Sequence, residues 1–127
     1  MTITELQQQY AAHPHADAVN KLLNDTSVKH LFCGGLCASA ASFFSSSLIR
    51  KYDVPFVFIL GDLEEAGYFY HDLTQILGTE RVLFFPSSFR RAIKYGQKDA
   101  ANEILRTEAL SRLEKGDTSV CIVTYPD

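Results

Sequence analysis

Four short, nearly uninterrupted apolar runs divide this chain, and the segments between them carry helical spacing instead. The runs are Val28 to Cys33, Pro55-Phe-Val-Phe-Ile-Leu60, Arg81-Val-Leu-Phe-Phe85 and Ser119-Val-Cys-Ile-Val-Thr124. A strand with one face in water alternates apolar and polar residues. One that is apolar throughout is covered on both faces, as in a parallel sheet. After the second run, Leu63, Ala66, Phe69, Tyr70, Leu73, Ile76 and Leu77 fall on one helical stripe. Asp62 is placed to cap that helix, Glu64 and Glu65 suit its positive first turn, and Gly78 ends it. Ala38 to Tyr52 has mixed helical spacing. Asp99 precedes a segment in which Ala101, Leu105, Ala109 and Leu113 recur every four residues, and Gly116-Asp117 marks a turn. Upstream, Ile3 to Tyr10 and Ala16 to Leu23 read as helices broken at His13-Pro14-His15. The order predicts an α/β fold of three layers, a parallel sheet of about four strands with flanking helices and right-handed crossovers. A single domain is expected, with an N-terminal helical segment over 1–27 and an α/β sheet unit over 28–127.

A chain of 127 residues with 46% apolar content fits one domain with an ample core. A net charge of −3 gives no overall pull toward nucleic acid or an acidic membrane surface. No apolar run approaches the length of a membrane span, and the polar N-terminus does not read as a signal peptide. Three cysteines, an odd number, fit a reducing cytoplasm better than a disulfide scaffold. The last residues, Val123-Thr-Tyr-Pro-Asp127, follow directly on a strand-like run. They lead us to expect the first part of a longer protein, with a sheet edge or apolar face left open.

The first run leads into Gly34-Gly-Leu-Cys-Ala-Ser-Ala-Ala-Ser42, which has the outline of a phosphate-binding loop. Such a loop, GxxxxGK[ST], uses glycines to bring backbone N–H groups onto phosphates, a lysine for the β/γ-phosphates and a hydroxyl for Mg²⁺. Counted from Gly35, the second glycine falls on Ala40, the lysine on Ala41 and the hydroxyl on Ser42. The fold is therefore expected to be P-loop NTPase-like but degenerate, with Gly34, Gly35, Ser39, Ala41 and Ser42 marking the relic. A missing lysine removes a charge-assisted contact of about 1.5–3 kcal/mol, roughly tenfold or more in affinity. An anion could still be held by a helix N-terminus alone. The competing and preferred reading is a tight strand-to-helix turn.

Other constellations have plainer readings. Asp62-Leu-Glu-Glu65 at a strand end has the form of a Mg²⁺ motif, but the preferred reading is an N-capped helix with acids in its first turn, since no phosphate-gripping lysine accompanies it. Arg90, Arg91, Lys94 and Lys98, interleaved with Phe89 and Tyr95, form the basic stretch of the chain. It suits a nucleic-acid backbone, an acidic protein surface, another part of the same chain, or solvent. Cys33 and Cys37 flank the glycine turn without two further soft ligands for zinc, and Cys121 lies in an apolar run. No metal site is expected. Ser45-Ser46-Ser47 reads as helix surface or packing rather than as a nucleophile.

Several of these segments, in their order, carry a family resemblance. They are Gly35-Leu-Cys-Ala-Ser-Ala40, Pro55 at the second run, Asp62-Leu-Glu-Glu-Ala66, Tyr70-His-Asp-Leu73, Val82-Leu-Phe-Phe-Pro86 and Ile122-Val-Thr-Tyr-Pro126. From Leu31 to Asp127 the chain resembles the N-terminal region of the bacterial transcription-repair coupling factors, the Mfd family. That region is similar to the first domain of the excision-repair protein UvrB. The resemblance implies a full-length ATP-dependent DNA translocase that releases RNA polymerase stalled at DNA lesions and recruits UvrA in nucleotide excision repair. It implies a non-catalytic role for this segment, without a cofactor. Its partners would be UvrA, through the wider N-terminal module, and the protein's own C-terminal motor. DNA and RNA polymerase would be met by other domains, and no membrane is implied. Two departures from UvrB stand out: Ala41 replaces the lysine, and only about a dozen residues link Pro86 to the Asp99 helix. That is too short for UvrB's DNA-clamping hairpin. Coupling factors often carry a Trp-containing run after this proline, where this chain has Ser87-Ser88-Phe89. The alternative function is a stand-alone nucleotide- or phosphate-binding α/β domain.

Overall fold

The computed structural model describes residues 1–88 and 99–126. Among them are five helices and one three-stranded parallel sheet, a mixed α/β arrangement. The described residues group into two compact units, Met1–Tyr52 and Asp53–Asp127.

The first unit is helical. α1 (Ile3–Ala11) starts with a reciprocal cap: Thr2 Oγ1 accepts from the Glu5 amide at 3.1 Å and the Glu5 carboxylate accepts from the Thr2 amide at 2.7 Å. α2 (Pro14–Leu23) begins on its proline, whose missing N–H would have no helical partner there anyway. α3 (Ala40–Ile49) completes the unit. Phe44 packs with Ala16 and Val19, flanked by Tyr10 and Leu48, and Tyr10 stacks on Phe43 at 5.5 Å between ring centroids. The interior is unusually polar for its size, with Gln7, Asn20, Ser42, Ser46 and Ser47 all buried. Ser46 and Ser47 donate to the carbonyls of Phe43 and Phe44, three residues back, which satisfies both hydroxyls inside the helix.

The second unit holds β1 (Phe56–Ile59), α4 (Leu63–Leu77), β2 (Val82–Phe85), α5 (Ala100–Glu114) and β3 (Cys121–Thr124). The strand order is β1-β3-β2, all parallel, so β3 is central. Register explains the apolar runs. Phe56, Cys121 and Val82 share one row, and Phe58, Val123 and Phe84 another on the same face. α4 covers that face, with Phe69 against Phe58 at 5.0 Å and Tyr70 against Phe84 at 5.3 Å. Val57, Ile122 and Leu83, then Ile59, Thr124 and Phe85, form the opposite face. There α5 places Ala109 on Leu83 and Ile122. Helix, sheet and helix thus make three layers in this unit, and β3 is buried on both faces. The cover ends before β1: Val57 is 58% exposed and Ile59 72%.

The helix signals act as the sequence indicates. The Asp62 carboxylate accepts from the Glu65 amide at 2.9 Å, and Gly78 closes α4 at φ 93°. Asp99 caps α5 through the amides of Ala101 and Asn102. On α4 the stripe is inward from Ala66 to Leu77, but Leu63 is 57% exposed. On α5 only Ala109 of the four-residue repeat is buried, while the half-buried Asn102 and Arg106 donate to the carbonyls of Ser87 and Pro86.

The expected first strand does not form. Val28 to Cys33 is irregular and almost entirely exposed, with Phe32 93% accessible, so the sheet has three strands rather than about four. A short apolar run becomes a strand only where a neighbour supplies its ladder. Lys29 and His30 interrupt this run, and no described residue pairs with it in a sheet. Residues 28–52 group with the helices instead.

Candidate functional site

In open parallel sheets, ligands bind at the carboxyl ends of strands, where loop amides and helix N-termini converge. Two places in the chain invite that comparison, and each belongs to one unit.

The first is the glycine loop. Gly34, Gly35 and Ser39 are exposed, in a loop that leaves irregular chain and not a strand end. Gly35 takes φ 81°, a region that favours glycine, and Ala38 takes φ 49°. For a residue with a Cβ, that left-handed geometry costs roughly 1–2 kcal/mol. The turn then uses its own amides. Ala40 N–H donates to the Cys37 carbonyl at 3.1 Å and Ala41 N–H to the Ala38 carbonyl at 3.4 Å. These are first-turn amides of α3, which an anion would need. Ser39, at the N-cap, makes no side-chain cap bond. Ala41 is half-buried, and Ser42 is only 1% exposed, so its hydroxyl is packed within the helical unit. In this loop position 41 carries no cation, the Ser42 hydroxyl is buried, and the Ala40 and Ala41 amides are bonded within the turn.

The second is the carboxyl end of the three-stranded sheet. β1 runs into Leu60-Gly61-Asp62, β2 into Pro86-Ser87-Ser88 and β3 into Tyr125. Asp62 is occupied as a cap, and Glu65 Oε2 accepts from Gly61 N–H at 3.0 Å. A Cβ at residue 61 would stand 2.7 Å from that carboxylate oxygen, so a larger residue there would displace the end of the exposed Glu65 side chain. The acids of α4 therefore satisfy their own helix terminus. They do not gather for a metal, and among the described residues no three His, Cys, Asp or Glu side chains are grouped to hold one.

After β2 the chain is held by side chains from α5 and β3. Asn102 Nδ2 donates to the Ser87 carbonyl at 2.8 Å and Arg106 Nη1 to the Pro86 carbonyl at 2.9 Å. The Arg106 guanidinium lies 4.2 Å from the Phe85 ring centroid, a cation–π contact. Thr124 Oγ1 donates to the Phe85 carbonyl at 2.7 Å, and Ser87 N–H donates to the Tyr125 hydroxyl at 3.2 Å. At the opposite end of α5, Arg112 donates to the Glu80 carbonyl and binds Asp117 at 2.7 Å. Asn102 and Arg106 carried no signal in the sequence, because their partners are backbone carbonyls 15 and 20 residues away along the chain.

Among the described residues three titrating groups are shifted, one of them Asp25, whose carboxyl is lowered by hydrogen bonds from the Ser27 hydroxyl and amide. Asp117 is lowered to about 2, first by the Ser119 hydroxyl, then by Arg112 and the Ser119 amide. The Cys121 thiol is pushed up to about 11 by burial, against a small opposing pull from Arg81. A thiol held that high is not a nucleophile near neutrality. Cys33 and Cys37 are exposed.

Arg90, Arg91, Lys94 and Lys98 lie outside the described residues. The depression along α5 beside Glu103, Ile104, Thr107 and Glu108 is open surface lined by one helix, unlike a ligand site formed by several elements. Among the described residues no helix is long and apolar enough to cross a membrane. Compared with family models, curated proteins and solved structures, the chain matches none of them.

Proposed function

We propose that this chain is a non-catalytic module of the transcription-repair coupling type, working through protein contacts in nucleotide excision repair. On this reading its loop is a degenerate P-loop in a cytoplasmic protein. Its partners are UvrA, reached through the wider N-terminal module, and an ATP-driven motor elsewhere in the same polypeptide. The observation that carries the reading is the state of the glycine loop. Ala40 and Ala41 N–H groups donate within the turn, and position 41 offers a methyl where a nucleotide site needs an ammonium. A sheet whose central strand is covered on both faces remains, with exposed Tyr68 and Ile104, each 69% accessible, on its helices.

The test is co-purification of UvrA, or of the motor part, with an N-terminal region that includes this chain. Loss of capture on Tyr68→Asp or Ile104→Asp, with the circular dichroism unchanged, supports the reading. Capture indifferent to these and to other charge substitutions across the exposed surface overturns it. Calorimetry with Mg²⁺ and ATP checks the loop separately. No binding heat is expected, whereas heat abolished by Gly35→Val would favour a nucleotide-binding domain instead.

A further inference from the structure

We draw no further inference here: the strongest candidate, the open edge of β1 with its exposed Val57 and Ile59 side chains, carries nothing because nothing in the structure shows what covers it.

Discussion

At position 41 a methyl group stands where a phosphate-gripping loop carries an ammonium, and the two neighbouring turn amides are bonded inside the chain. Chemistry at single residues is similarly contained elsewhere. Cys121 is fully buried at the centre of the sheet and its thiol is held at about 11, while Cys33 and Cys37 are exposed. Reaction with a thiol reagent at neutral pH should therefore modify Cys33 and Cys37 quickly and Cys121 only on unfolding. Peptide mapping after a short pulse reads this directly, and early labelling at Cys121 would contradict its placement. Asp117 gives a pH signature. Its carboxyl is lowered to about 2, so the folded state holds the proton more weakly than the unfolded chain does. The stability it adds is fully present above the unfolded value of about 3.9 and is lost as pH falls toward 2. Asp117→Asn should lower stability near pH 6 and flatten the slope between about pH 4 and pH 2. Urea unfolding of both proteins at several pH values measures the difference, and parallel curves would dismiss the role of Arg112 and Ser119.

Among the elements, α4 supplies the sharpest contrast between inward and outward positions. Leu73 is fully buried and Leu63 is 57% exposed, although both lie on the same apolar stripe. Leu73→Ala should cost about 2–5 kcal/mol through lost contacts and a cavity. Leu63→Ala should stay within about 0.5 kcal/mol. Equal shifts in urea midpoint would mean that α4 is rotated from its observed position. The stripe, the caps at Asp62 and Asp99 and the stop at Gly78 were legible in the sequence because each acts within a few residues of itself. The strand at Val28 to Cys33 was misread for the opposite reason. Apolar residues permit a strand, but pairing makes one, and the pairing partner is not written in the run. The repeat on α5 misled in the same way. Ala101 and Leu113 share the spacing of Ala109 yet remain exposed, while Asn102 and Arg106 turn to carbonyls of residues 86 and 87. For the candidate site, the alanine at position 41 could be read directly, whereas the bonding of the turn amides depends on how the backbone folds there. The basic stretch from Arg90 to Lys98 falls outside the described residues and stays a reading of the sequence alone.

For the whole molecule, the division at Tyr52 and Asp53 has consequences for stability. The sheet unit is ordered by contacts among its own residues, such as Asp62 with Glu65, Phe58 with Phe69, Ala109 with Leu83 and Ile122, and Arg112 with Asp117. Its central strand is buried on both faces, and its helices are capped within the unit. The helical unit is built differently. Its apolar cluster rests on Ala16, Val19 and Phe44, and Asn20 buries a carboxamide that finds no hydrogen-bond partner among the described residues on either atom. An unsatisfied buried amide costs about 1–3 kcal/mol where no water reaches it. Small domains have little margin against such a cost. Residues 53–127 produced alone should therefore unfold cooperatively in urea, with a near-ultraviolet spectrum from packed Phe58, Phe69, Tyr70 and Phe84. Residues 1–52 alone should show partial helicity and a broad, shallow transition. Amide hydrogen exchange on the intact chain gives the same ordering without dissection, with Val120 to Val123 protected longer than Phe43 to Leu48. If residues 53–127 bind a hydrophobic dye and lose their aromatic signal, the sheet depends on residues outside it, and the three-stranded unit is not a folding unit.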